Sequence, residues 1–351
     1  MNVIVIGGKT AGHINPAIAL ITELEDRNHK VYYFGIKNSL EEKLINKDIF
    51  VPLNFYGTTK NPFKIVFLIY LFIKNYFFTK RFIKNNKIEL VISTGGNLSL
   101  PIFYAAKSLN IKKVIHEQNI ILGRSNKLLL KNTDKLFISF NKKFKKYPEN
   151  KQKYLGNPAT SLLDLSNQKS SINYPKNYKR ILITTGSIGS KVVNEKIKEL
   201  LNLIMDENYF LVWITGTKYY NAYENLNSEK IYILPYTLQM PELLKEADLV
   251  ISRAGASTLS EIIHLEKPSI IIPSPNVLNN HQEYNCNYLY DEHACIKINE
   301  IDLTALLLYK SIKKAFVLKD NLKFNLRKFK VENSSKKIID ETMKLFNYNN
   351  N

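Results

Sequence analysis

The sequence predicts an α/β protein of two Rossmann-like domains, each a parallel sheet, facing one another across a cleft. Three observations carry that prediction. Short runs rich in Val, Ile, Phe and Tyr alternate with longer helical stretches, the alternation stops at a polar interval and restarts, and loops after several strands are glycine-rich. At 351 residues the chain is long enough for two domains with separate cores. Its 45% apolar and 23% charged residues mark a globular chain rather than a disordered one.

In order, the first half predicts strands at 2–6, 30–34, 89–93, 113–117 and 134–139. A polar stretch near 161–178 follows, and its portion SNQKSSINYPKNYK reads as a linker. The second half predicts strands at 180–184, 209–214, 230–234, 248–252 and 268–272. Repeated strand, helix, strand units require right-handed crossovers, and hence parallel sheets covered by helices on both faces. The predicted domains are residues 1–160 and 161–332, with a closing helix at 333–349 that can pack back on the first.

The formal charge of +19 invites nucleic acid, an anionic membrane surface or phosphorylated small molecules as partners. Part of that charge follows from a chain rich in Lys, Asn and Ile throughout. No basic recognition element or aromatic platform points to nucleic acid, so none is expected. Cys286 and Cys295 are too few for a disulfide framework, which places the chain in a reducing cytoplasm. With His293 they are irregularly spaced, so packing is expected and no metal. The chain opens directly on a strand, leaving no visible signal peptide.

Residues 61–87, NPFKIVFLIYLFIKNYFFTKRFIKNNK, interleave aromatic residues with cations. The longest uninterrupted apolar run, Ile65 to Ile73, is far shorter than the ~20 residues a spanning helix needs. Lys80, Arg81 and Lys84 beside Phe77, Phe78 and Phe82 suit an interfacial segment on anionic lipid. A helix that only covers the sheet would carry some of the same apolar residues.

Ligands of open parallel sheets bind beyond the carboxyl ends of the strands. The loops there are GGKTAGH (7–13), STGGNLSLP (93–101), TTGSIGS (184–190) and SRAGASTLSE (252–261). Glycine lets backbone N–H groups approach a ligand, and the following helix start favours negative charge. Four such loops at one topological position argue for a phosphate-bearing ligand. None has P-loop spacing, and GGKTAGH fails the strict dinucleotide fingerprint. No two aspartates stand two apart, so no such pair is present to hold a metal at a phosphate. Helix starts and loop amides would then meet the charge of a bound phosphate, and no cofactor is expected.

GGKTAGHINPA, STGGNLSLP, HEQN (116–119), NK (126–127), GNP (156–158), SRAGASTLSE and NHQEYN (280–285) occur in the order found in the MurG family, which the chain resembles over nearly its whole length. The resemblance implies a GT-B glycosyltransferase that moves N-acetylglucosamine from UDP-GlcNAc to the muramoyl 4-hydroxyl of lipid I, inverting the anomeric carbon. It also implies a peripheral position on the cytoplasmic face of the cell membrane, where the lipid acceptor resides.

By the same resemblance, Glu261 takes the ribose hydroxyls and Gln282 reads the sugar. Ala256, Ser257, Thr258, Leu259 and Ser260 offer backbone and hydroxyl contacts to sugar and phosphates. Thr237 contributes main-chain groups to uracil, and Ser187 lies near the diphosphate or caps the following helix. Thr10, Ala11, Gly12 and Asn119 reach the donor from the first domain. Gly7, Gly8, Gly95 and Gly96 line the acceptor side with Glu117, which either touches ligand or braces the loops. His13 accepts the acceptor's proton, or else only fixes its loop; a neutral imidazole suits the first role at physiological pH.

Several positions depart from the family, among them Asn97 and the loop TGSIGS. Lys9 and Ala11 replace glycines, and Thr160 stands where an arginine is usual. A UDP-GlcNAc 2-epimerase would share the architecture and the donor, and a non-catalytic relative would keep the sites without turnover. The first-half loops argue against the epimerase.

Overall fold

The computed structural model describes residues 1–8, 10–55, 61–145, 147–165, 168–186 and 188–346, with only the backbone of Pro62 and Lys64. The chain forms two compact units, one of Met1–Ser161 with the segment from Val331 onward, the other of Leu162–Lys330.

The first unit carries β1 (Asn2–Ile6), β2 (Lys30–Ile36), β3 (Phe50–Leu53), β4 (Ile88–Ser93), β5 (Lys112–Glu117), β6 (Lys135–Ile138) and β7 (Gln152–Tyr154). All pair in parallel, in the order β3-β2-β1-β4-β5-β6-β7. Strand order reverses direction between β1 and β4, so the loops following these two strands meet at a topological switch point. Ile4 and Ile6 face one core with Val91, Ile102 and Phe103, while Val3 and Val5 face another with Ile14 and Leu20.

The second unit repeats the plan with β8 (Lys179–Thr184), β9 (Tyr209–Ile214), β10 (Ile231–Leu234), β11 (Leu249–Ser252), β12 (Ser269–Ile271) and β13 (Ile296–Lys297). The order β10-β9-β8-β11-β12-β13, again parallel, puts its switch point between β8 and β11. Trp213 is fully buried there, and its indole N–H donates to Asn194 Oδ1 at 3.1 Å.

Three strands exceed the sequence expectation. β3, β7 and β13 are each short and each lie at or near a sheet edge. The predicted linker is also corrected. Ser170 donates through both its N–H and its hydroxyl to Glu246, and the Arg180 guanidinium lies 4.4 Å from the Tyr174 ring, so the interval packs on the second unit.

Two helices of the first unit matter for function. In helix Pro62–Asn85, Leu71, Asn75, Thr79 and Ile83 are buried. They recur every fourth residue, one ridge of a helix laid on the sheet. Phe63, Ile65, Val66, Ile69, Tyr70, Ile73, Phe77 and Phe78 are exposed, Phe63 by 84% and Val66 by 67%. Among the described residues no helix is long and apolar enough to cross a membrane. The closing helix, Ser334–Met343, buries Ile338 and Ile339 in the core of Val3 and Val5.

Candidate functional site

Helix Ala11–Asp26 begins directly after the β1 loop, with Thr10 as its N-cap. His13 is therefore in the first helical turn rather than in the loop, and Ala11 occupies a helical position where alanine fits as well as glycine. The loops after β1 and β4 meet backbone to backbone. The Gly8 N–H donates to the Gly95 carbonyl at 3.4 Å, and Thr94 Oγ1 donates to the His13 carbonyl at 2.7 Å. Gly95 has φ +121°, and a Cβ there would stand 2.8 Å from His13 Cε1 and Nδ1. Only glycine can both adopt that angle and admit the ring.

The imidazole of His13 is held from one side. Its Nδ1 lies 3.0 Å from Gln118 Oε1, and Gln118 Nε2 lies 3.0 Å from His116 Nδ1. His116 is fully buried, and its Nε2 is 2.9 Å from the Gly156 carbonyl. Neither Gln118 nor His116 was singled out from the sequence. A signal existed: two polar groups two apart at the end of a strand share a face, and both belong to HEQN.

Glu117 braces the loops. Its Oε1 accepts from Asn119 N at 3.0 Å, and its Oε2 accepts from Gly123 N and Asn126 Nδ2, both at 2.8 Å. That carboxylate is committed to protein, and it sets the backbone of Asn119. Thr160 is buried and donates to the Asn157 carbonyl at 2.8 Å, a packing role with no cation.

In the second unit, Gly186 and Ser190 bracket the loop after β8, while Ser187 lies outside the described residues, as does Lys9 in the first unit. The cap of helix Lys191–Ile204 is Ser190, which accepts from Val193 N. Capping by Ser187 is thereby corrected. Arg253, after β11, donates to Ser190 Oγ at 2.6 Å and pairs with Glu300, joining the two switch-point loops.

Helix Ala256–His264 starts after Gly255 with no side-chain cap, and a helix start of this kind favours negative charge. Two side chains of this helix are engaged within the protein. Leu259 is fully buried as core, and the Ser260 hydroxyl donates back to the Ala256 carbonyl at 2.9 Å. Ser257, Thr258 and Glu261 keep accessible surface. Although Glu261 is partly open, desolvation pushes its carboxyl up to about 7.

Asn279 and Asn280 both sit in the left-handed region, at φ +56° and +50°, and launch helix His281–Tyr290. Two successive strained residues turn the chain so that Gln282 falls in the first turn. Gln282 Oε1 accepts from Ser274 N at 2.9 Å, which fixes the orientation of its amide. Thr237 is half-buried, and its hydroxyl accepts from Gln239 N at 2.9 Å. Cys286 and Cys295 are buried free thiols, and no metal-holding cluster occurs among the described residues.

Residues 3–138 match the glycosyltransferase family 28 N-terminal domain, and residues 180–342 match the family 28 C-terminal domain. A UDP-N-acetylglucosamine–N-acetylmuramyl-(pentapeptide) pyrophosphoryl-undecaprenol N-acetylglucosamine transferase of Bacillus cytotoxicus is 37% identical over 327 residues, 89% of each chain. The chain belongs to the MurG family of glycosyltransferases.

Solved structures add the fold. MurG of Acinetobacter baumannii aligns with a TM-score of 0.76 at 22% identity, over 98% of this chain and 100% of that one. A UDP-GlcNAc 2-epimerase of Neisseria meningitidis, solved with UDP-GlcNAc, aligns at 0.69 and 14% identity, over 98% and 100%. Both are GT-B proteins in shape, so shape alone leaves transferase and epimerase undivided. The sequence relation separates them, in favour of the MurG family.

Proposed function

We propose that the chain moves N-acetylglucosamine from UDP-GlcNAc to the 4-hydroxyl of the muramoyl sugar of lipid I, giving lipid II, with His13 as the proton acceptor. The hydroxyl oxygen attacks the anomeric carbon, its proton passes to His13, and the bond to UDP breaks with the electron pair leaving on the diphosphate. The observation that carries the residue-level reading is the packing of His13 against Gly95, which holds the imidazole where the loops after β1 and β4 meet.

Most donor contacts fall to the second unit, with Thr10, Ala11, Gly12 and Asn119 contributing from the first. The N-terminus of helix Ala256–His264 and the loop after β8 meet the diphosphate, Glu261 takes the ribose hydroxyls, and the Gln282 amide reads the sugar. Helix Pro62–Asn85 docks on the anionic cytoplasmic surface of the membrane, where the polyprenyl tail of the acceptor is anchored. Its exposed apolar side and the cations Lys80, Arg81 and Lys84 support that placement.

Incubation of the purified chain with lipid I and UDP-GlcNAc tests the reading. A disaccharide-bearing lipid is the expected product. Free epimerised sugar, or binding without product, would overturn it.

A further inference from the structure

We infer that Gln118 and His116 fix the proton of His13 on Nδ1, leaving Nε2 as the bare nitrogen that receives the acceptor's proton. The inference rests on the proposed role of His13 and deepens it.

The hydrogen bonds form a directed chain that begins at Gly156. A carbonyl can only accept, so His116 Nε2, 2.9 Å from the Gly156 oxygen, carries a hydrogen. His116 is fully buried, and that burial pushes its imidazole down to about 4, so at neutral pH the ring holds one proton. Its Nδ1 is then an acceptor, and the group that meets it at 3.0 Å is the Gln118 amide nitrogen. The same nitrogen lies 3.3 Å from the His116 carbonyl, a second acceptor-only partner. These two contacts assign the ends of the amide independently of His13.

Gln118 Oε1 therefore faces His13 Nδ1 at 3.0 Å, and an amide oxygen can only accept. A neutral His13 must place its hydrogen on Nδ1, and its lone pair on Nε2. The ring is kept in that pose by Gly95, where any Cβ would displace it, and by Thr94 Oγ1 on the His13 carbonyl.

Gln118 carries no charge and cannot pass a proton on. It orients the imidazole, and once His13 has taken the hydroxyl proton on Nε2, that proton leaves by the route it entered. Gln118 and His116 are thus positioning residues.

The test begins on the unmodified protein. With 15N-labelled histidine, a two-bond proton–nitrogen correlation of neutral His13, assigned by its loss in His13→Gln, should show the Nδ1–H tautomer. Finding the Nε2–H tautomer would overturn the inference without any substitution. In Gln118→Met the acceptor is lost at similar volume, and His13 should shift toward mixed tautomers. There kcat should fall about tenfold or more, short of the full general-base contribution, while KM for lipid I and Kd for UDP-GlcNAc stay within about twofold. Unchanged kcat in Gln118→Met beside an inactive His13→Gln would also overturn the inference, and would leave His13 as the base. Full turnover in His13→Gln would instead remove the base and leave the tautomer, read directly in the spectrum, as a separate result.

Discussion

His116 Nε2 meets the carbonyl of Gly156 at 2.9 Å and ties β5 to the loop that follows β7. The cost of burying this ring shows in its affinity for protons, pushed from 6.5 down to about 4. The unfolded chain binds a proton at about 6.5 and the folded chain does not, so stability is fully present above that pH and is lost as pH falls toward 4. The loss amounts to roughly 3 kcal/mol for this group. Urea midpoints should drop across that window, and His116→Gln should flatten the part due to this ring. Parallel curves for the two proteins would refute the assignment.

Removal of the proposed base should separate chemistry from donor binding. His13→Gln is expected to lower kcat by roughly a hundredfold to ten-thousandfold. Calorimetry should find its affinity for UDP-GlcNAc within about twofold of the parent. Turnover near the parent level would place the base elsewhere.

If Glu261 takes the ribose hydroxyls as proposed, donor binding should depend on pH. Its carboxyl titrates at about 7, and only the ionised form offers both oxygens as acceptors to ribose hydroxyls. Affinity for UDP-GlcNAc should therefore rise as pH increases through about 7 and weaken below it. Glu261→Gln should bind more weakly and lose that slope, by isothermal titration. A slope that persists in the variant would show that another group is responsible.

The helix Pro62–Asn85 should require anionic lipid. In liposome sedimentation, the parent should pellet with anionic vesicles far more than with neutral ones, since each basic group near the surface contributes ~1 kcal/mol. Changing Lys80, Arg81 and Lys84 to Glu together should abolish the preference. Equal binding to both lipids, unaffected by the change, would sink the membrane placement.

What the sequence disclosed follows from where each signal originates. The central strands, β1, β4, β8 and β11, are buried on both faces, and their Val and Ile runs were legible at once. β3 is interrupted by Pro52, β7 reads Gln-Lys-Tyr and β13 has two residues, so each marginal strand gives a weaker signal than the central ones. In the site, the resemblance to the MurG motifs pointed to His13, Glu261 and Gln282. Helical phase then decides which neighbours face inward, and it turns the Leu259 and Ser260 side chains to the protein interior. The Gln118–His116 chain depends on amide and imidazole orientation, which no spacing encodes.

The closing helix has a consequence for how the protein is made. Ile338 and Ile339 complete the core of Val3 and Val5, yet the whole of Leu162–Lys330 lies between these segments in the chain. β1 leaves the ribosome first, and the side chains that seal its sheet leave among the last. At ~5–20 residues per second, the ribosome needs roughly ten to thirty seconds for the intervening unit. For that interval the nascent first unit displays an unsealed apolar face, while the second can already fold behind it. The unit at the N-terminus is thus the later of the two to be finished.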